Sequence, residues 1–86
     1  MTDKIHITFT EQEIHNFINF VHFINAVEKE SFDGIEAVNN GLTKPEWETL
    51  VRHLKKSDTL VHPNKDGSST TLDLTIVRDK INEAIN

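Results

Sequence analysis

Residues 5–9 read IHITF and residues 71–76 read TLDLTI, and these two alternating stretches bracket a long middle with helical patterns. Each stretch puts apolar side chains on one face and Thr, His or Asp on the other, with the period of two that is typical of a half-buried strand. The middle of the chain has the apolar spacing of helices. The sequence therefore predicts an α+β fold in which the amino-terminal strand pairs with carboxyl-terminal strands.

The length and composition limit the architecture. The chain has 86 residues, no cysteine and a formal net charge of −5. A chain of this length forms one modest core, and without cysteine that core is held by packing alone. We expect a single globular domain over residues 1–86. The amino terminus is polar and no unbroken apolar run follows it, so we expect no signal peptide, no membrane span and a cytoplasmic location.

The first predicted helix is the longest and the most apolar. TEQE at residues 10–13 has the spacing of a capping box, and the helix should run from about residue 11 to residue 29. Its apolar residues cover well over half of the circumference, so we expect it to be the central element of the fold. Phe20 and Phe23 lie at the edge of that apolar arc. The alternative is that one of them is exposed for a partner.

Two further helix starts follow. DGIE at residues 33–36 begins a short second helix, which the Asn and Gly residues at 39–41 end. Thr43 caps a third helix, and Pro45 lies in its first turn, where a missing N–H costs nothing. Trp47 begins the apolar stripe of this helix, and we expect it in the core.

The last third of the chain has two interpretations. Asp-Gly at residues 66–67 separates two strand-like runs, which predicts a hairpin followed by a short helix. The alternative is one helix over residues 70–85, but residues 70–76 are collectively poor helix formers. We therefore predict the order β-α-α-α-β-β with a short terminal helix. In this winged-helix-like arrangement, a three-stranded antiparallel sheet packs on the central first helix.

The negative charge is concentrated in the first half of the chain. Residues 1–42 carry two lysines against seven acidic residues, whereas the remainder is nearly balanced. An acidic surface repels phosphate backbones and suits a basic protein partner, although it also serves simple solubility. We predict a partner-binding surface at the two ends of the first helix, formed by Glu11, Glu28, Glu30, Asp33 and Glu36.

The alternative function is that of a winged helix-turn-helix transcriptional regulator. The element order suits one, with the helix from Thr43 in the DNA groove and the turn at residues 64–69 as the wing. However, Glu46 and Glu48 would face DNA at the start of that helix, where phosphate contacts need cations. The candidate nucleic-acid contacts of this alternative are Lys44, Arg52, Lys55, Lys56 and Lys65.

Catalytic and metal motifs are weak. His15 and His22 stand two turns apart on the first helix, and the i, i+4 histidine pair of many zinc sites is missing from the sequence. The serines lie at predicted caps and turns rather than in a nucleophile elbow, and there is no Gly-rich phosphate loop. We expect no enzymatic activity, no cofactor and no metal.

Two short segments have a family resemblance. FTEQEI at residues 9–14 resembles the start of the first helix in the colicin and pyocin nuclease immunity proteins, which are small acidic inhibitors of nuclease toxins. SDTLVHP at residues 57–63 is similar to their short third helix, with Val61 and His62 in place of paired tyrosines. The resemblance implies an inhibitor. We therefore expect a small acidic, non-enzymatic protein-binding module of the inhibitor, antagonist or immunity type, of bacterial or phage origin.

Overall fold

The computed structural model describes residues 3–86, which form four helices and two two-stranded antiparallel sheets. The predicted α+β class is confirmed. In chain order the elements are β1 (Lys4–Ile5), α1 (Glu11–Val27), α2 (Gly34–Asn40), β2 (Leu42–Thr43), α3 (Lys44–Lys56), β3 (Thr59–Pro63), β4 (Ser69–Asp73) and α4 (Thr75–Ile85).

Helix α1 begins at the predicted capping box. The backbone N–H of Glu13 donates to the Thr10 hydroxyl at 3.2 Å, and the backbone N–H of Thr10 donates to the Glu13 carboxylate at 2.8 Å. The helix ends at Val27, two residues earlier than predicted. Lys29 has a φ of 58°, and this left-handed conformation cannot continue a right-handed helix.

The starts of α2 and α3 are also as predicted. Asp33 caps α2, and Gly41 follows it with a φ of 86°. Thr43 and Glu46 form a capping box at the start of α3, where Pro45 lies in the first turn. Short-range hydrogen bonding decides these helix ends, which is why the sequence locates them well.

The prediction for the first strand is wrong in its length and in its pairing. Strand β1 has two residues, and it pairs antiparallel with β2 at the start of α3 rather than with the hairpin. Residues 3–86 therefore form no three-stranded sheet, and the winged-helix arrangement is not confirmed. The alternation is nevertheless real, because Ile7 and Phe9 are buried while His6 and Thr8 are exposed.

The physical reason for this pairing lies at Gly41. A Cβ atom at Gly41 would lie 2.3 Å from the carbonyl oxygen of Ile5, so only glycine lets the two backbones come this close. Trp47 adds a hydrogen bond from its indole Nε1 to the same carbonyl. Both contacts hold β1 beside α3, away from the hairpin.

The predicted hairpin followed by a helix is confirmed, with a shifted boundary. Strands β3 and β4 pair antiparallel from Thr59 opposite Asp73 to Pro63 opposite Ser69. The strand ends at Asp73 instead of residue 76, because the Asp73 carboxylate accepts from the backbone N–H of Thr75 at 2.9 Å and starts α4. Residues 59–63 are extended, so the resemblance of residues 57–63 to a short helix does not hold in three dimensions.

One cluster of buried side chains joins the helices. Trp47 of α3 is fully buried and lies 5.9 Å from the ring of Phe17 in α1, centroid to centroid. Helix α4 adds Val77 and Ile81 from its buried face. The central position predicted for α1 is only partly realised, because one of its faces is buried while Phe23 remains 43% exposed.

Candidate functional site

The five acidic residues predicted to bind a partner do not form one surface. Glu11 lies in the first turn of α1 and Glu28 follows its last turn, so about 25 Å of helix separates them. Glu30, Asp33 and Glu36 follow Glu28 in the connection to α2 and in α2 itself. Glu11 therefore belongs to a different part of the surface.

Three of these carboxylates already have partners within the chain. Asp33 accepts hydrogen bonds from the backbone N–H groups of Ile35 and Glu36, both at 3.1 Å, and so caps α2. Glu36 forms an ion pair with Lys4 at 3.3 Å. Glu30 lies 3.9 Å from the His53 imidazole. Glu28 is exposed and forms no ion pair with any residue of the described range 3–86.

The basic residues of the alternative hypothesis are divided between surfaces. Lys44, Arg52 and Lys55 line one polar groove between α3 and the end of α4, together with Glu48. Lys56 lies on another side of α3 and borders a different groove. Lys65 lies in the hairpin turn between β3 and β4, beyond the end of α3. Helical periodicity thus brings three of the five together but leaves an acidic residue among them.

A largely apolar groove lies between α1 and β3, and its volume is about 420 Å³. Its apolar lining comes from Phe20, Phe23 and Ile24 of α1, from Leu60 and Val61 of β3, and from Leu74. Phe20, Ile24 and Leu74 are buried, whereas Phe23 is 43% and Val61 is 61% exposed. The groove therefore exposes apolar surface that is continuous with the core. Exposed apolar surface of this kind is a common feature of interaction sites.

The apolar surface continues beyond this groove. Phe23, Leu60 and Val61 also line a second depression, which extends along β3 to Pro63 and along α1 to Asn19. Phe23, Leu60 and Val61 therefore lie where the two depressions meet. Together they define the surface that we call the α1–β3 groove.

Charged groups surround one end of the α1–β3 groove. Glu28 lines it from the α1 side, and His53 and Lys56 line it from the α3 side. The last turn of α3 carries His53, Lys55 and Lys56, which balance the negative end of its helix dipole. The last turn of α1 carries no basic residue, so the negative end of α1 adds to the charge of Glu28.

Strand β3 is an edge strand beside this groove. Within the part of the chain that the structure describes, β3 pairs with β4 alone. Its other edge lies on the side of the α1–β3 groove, because Thr59, Leu60 and Val61 line that groove. An edge strand presents unpaired backbone N–H and C=O groups, which form a template for another strand.

The carboxylates with lowered pKa values stabilise turns and contacts away from the groove. A hydrogen bond from Lys80 at 2.5 Å is the main cause of the lowered pKa of Glu13, and the backbone of Thr10 adds to it. The Thr43 hydroxyl lowers the pKa of Glu46 at the start of α3. Both shifts come from structural hydrogen bonds that favour the ionised form.

Two further observations concern metals and membranes. Among residues 3–86, no three His, Asp or Glu side chains converge as ligands of one metal ion would. His15 is hydrogen-bonded instead to Asn19, one turn along α1. No helix within that range has the length and apolar character needed to cross a membrane.

Comparison of the chain with protein-family models, with curated proteins and with solved structures finds no match. Sequence reasoning did not find the α1–β3 groove, because it needs α1 and β3 side by side. One signal was present: Phe23 lies at the edge of the apolar arc of α1, and its exposure agrees with the alternative stated from the sequence.

Proposed function

We propose that the protein is a small acidic, non-enzymatic module that binds another protein through the α1–β3 groove. The observation that carries this proposal is that two exposed apolar residues, Phe23 and Val61, border one groove above buried core residues. Aromatic residues such as Phe23 are enriched in protein interfaces relative to the rest of the surface.

The net charge of the chain supports a partner with a basic surface, although Lys56 lines the groove together with Glu28. The chain has a net charge of −5, and Glu28 and the negative end of α1 lie at one end of the groove. Complementary charge speeds association and disfavours acidic competitors. Of the five acidic residues predicted from the sequence, Glu28 lines the groove, and Glu30 lies close to it through His53.

A module that binds without catalysis acts by occupying a surface of its partner, as an inhibitor, immunity factor or adaptor does. The small size of the chain suits this role, since an interface of ordinary size would cover a large share of its surface. The proposal thus keeps the function expected from the sequence. It moves the binding surface from the acidic ends of α1 to the α1–β3 groove.

The proposal is tested by affinity capture from bacterial lysate with added nuclease, at low and high salt, using two matched variants. Val61→Lys puts a charge at the border of the groove, whereas Ile76→Lys puts the same charge on α4. The two side chains are 61% and 58% exposed, so both variants should fold. We expect the same protein to be captured by the wild type and by Ile76→Lys, and to be lost with Val61→Lys.

Equal capture by both variants would show that the partner binds elsewhere and would contradict the proposal. Material that is retained only without nuclease would favour nucleic acid over protein. Purified captured protein should then bind the wild type directly, with an affinity that falls in Val61→Lys. That second measurement separates a direct partner from a protein carried along in a complex.

One observation favours the alternative of DNA binding. Lys44, Arg52 and Lys55 share one exposed face of α3, the helix that a helix-turn-helix protein would place in the groove. Glu48 lies among them and would meet the phosphates with the wrong charge. The alternative therefore ranks second.

A further inference from the structure

We infer that the α1–β3 groove binds an extended segment of its partner, which adds as an antiparallel strand to the free edge of β3 at Val61. This inference rests on the proposed function and specifies the form of the ligand. It depends on which backbone groups of β3 face outward.

The hairpin register shows which groups these are. At one end of the ladder, the N–H of Asn64 donates to the carbonyl of Ser68 at 2.8 Å. At the other end, the N–H of Leu74 donates to the carbonyl of Asp58 at 2.7 Å. Hydrogen-bonded pairs alternate along an antiparallel ladder, so even-numbered residues of β3 point their backbone groups at β4. The N–H and C=O of Val61 consequently point away from the hairpin.

The outward groups of the neighbouring residues are partly occupied or missing. The Thr59 carbonyl accepts a hydrogen bond from the Ser57 hydroxyl at 2.9 Å. Pro63 has no N–H, which suits its outward position on an edge strand. Within the described part of the chain, no group bonds to the N–H or C=O of Val61. An added strand would therefore make two hydrogen bonds with Val61 and further bonds at Thr59 N–H and Pro63 C=O.

The side chains of such a strand would meet complementary surfaces. The ligand residue opposite Val61 would place its side chain on the exposed face of the hairpin, as Val61 does. The next ligand residue would place its side chain on the other face, where Leu60 packs against the core. That residue would enter the groove against Phe23 and Ile24, so it should be apolar. The net charge of −5 favours a Lys or Arg in the ligand, which would pair with Glu28 on the α1 side of the groove, away from Lys56 on the α3 side.

The same charges argue against a second copy of this chain as the occupant. A second copy would bring another Glu28 and another net charge of −5 to the contact. Its own β3 would offer the same incomplete set of outward groups, with Pro63 again lacking a donor. A segment from a basic partner satisfies both the charge and the hydrogen bonding.

The probe is a library of random dodecapeptides displayed on phage, selected against the folded protein. We expect the selected peptides to alternate apolar and polar residues and to carry Lys or Arg, as an added strand requires. Synthetic copies with an N-methyl group on alternate residues should lose binding in one methylation phase and keep it in the other, because only one set of N–H groups faces β3. Helical spacing of the selected apolar residues, or a selection without binders, would overturn the inference.

Two proline variants test the edge from the protein side. Val61→Pro removes an outward N–H, and Thr71→Pro removes the corresponding outward N–H on the opposite edge of the hairpin. Neither substitution removes a hydrogen bond between β3 and β4, because Val61 and Thr71 form a non-hydrogen-bonded pair. We expect Val61→Pro to weaken peptide binding by about tenfold or more, since two hydrogen bonds are lost or displaced. Thr71→Pro should bind as the wild type does.

The outcomes separate this inference from the proposed function. Peptides that bind the Val61→Pro variant but not the Phe23→Ser variant would show that the groove binds its ligand without strand addition. That result would overturn this inference alone. Binding that survives Val61→Pro, Val61→Lys and Phe23→Ser would overturn both. Dimerisation of the wild type that Val61→Pro abolishes, seen by sedimentation, would identify a second copy as the occupant and overturn the inference. Circular dichroism must show that each variant is folded.

Discussion

The indole Nε1 of Trp47 donates a hydrogen bond to the carbonyl oxygen of Ile5 across 2.8 Å. Trp47 is fully buried, and the backbone of β1 pairs with β2 in a two-residue ladder. This bond therefore joins the core directly to the amino-terminal segment. It also gives the buried indole N–H a hydrogen-bond acceptor, and an unpaired N–H in the core would cost free energy.

Trp47→Phe should destabilise the protein by about 2–3 kcal/mol, because it removes this hydrogen bond and leaves a space in the core. Urea unfolding measures the loss. Amide exchange of Ile5 and Leu42 should become faster than expected from that loss alone. Phe17→Leu is the control, since it also reduces a buried ring but leaves the indole bond intact; equal local exchange in both variants would contradict the role of the bond.

Gly41→Ala should be more destabilising than Gly67→Ala, although both glycines have a φ near 90°. A Cβ at Gly41 would meet the Ile5 carbonyl oxygen at 2.3 Å, whereas a Cβ at Gly67 would meet nothing within 4 Å. Both variants suffer the strain of a positive φ, of about 1–2 kcal/mol. The excess at Gly41 measures the close approach of β1, and equal thermal midpoints would mean that β1 does not stay against Gly41.

Acidification should destabilise the protein in part through Glu13. The hydrogen bond from Lys80 lowers the pKa of Glu13 below its ordinary value of 4.5. The stability that Glu13 contributes is therefore present above the unfolded pKa of about 4.5 and is lost as the pH falls through the lower folded pKa. Glu13→Gln should be less stable than the wild type at neutral pH, and its stability should fall less on acidification.

Urea titrations between about pH 6 and pH 3 test this pH dependence. Glu11→Gln is the matched control, because Glu11 lies in the same first turn of α1 and forms no ion pair with any residue of the described range. Its pH profile should follow that of the wild type. A Glu13→Gln profile parallel to the wild type would contradict the contribution of the Lys80 contact.

Charge reversal should have different effects at Asp33 and at Glu28. Asp33→Lys removes the cap of α2 and should cost about 1 kcal/mol, whereas Asp33→Asn should keep the cap. Glu28→Lys puts a cation at the end of α1 and should change stability by less than about 0.5 kcal/mol. Once a partner is purified, Glu28→Lys should slow association, with a smaller effect at high salt. Unchanged on-rates would place the partner away from Glu28.

The protein should not bind duplex DNA appreciably at about 0.15 M salt, because its net charge is −5 and Glu48 lies on the exposed face of α3. Gel shifts with random duplex DNA at rising salt provide the measurement. Glu48→Lys is an informative companion, since it completes a basic face with Lys44, Arg52 and Lys55. Tight, salt-sensitive binding by the wild type would place DNA binding first.

The amino-acid sequence by itself determined the starts of the first three helices, the hairpin and the alternating burial near Ile7 and Phe9. These features depend on contacts between residues close in the chain, such as the box of Thr10 and Glu13, and on the alternation of polar and apolar residues. The number of helices and the α+β class follow from them. The boundary error at Asp73 arose where a side chain turned the backbone into α4 and ended the strand three residues early.

Only the tertiary structure decided which strands pair and where the apolar surface is left open. β1 lies beside α3 because its backbone approaches Gly41 closely and because Ile5 accepts a hydrogen bond from Trp47, 42 residues along the chain. The exposure of Phe23 depends on how far β3 covers α1, and the outward groups of Val61 depend on the register of the hairpin. Local sequence patterns do not predict these contacts, because each contact forms between elements that are far apart in the sequence.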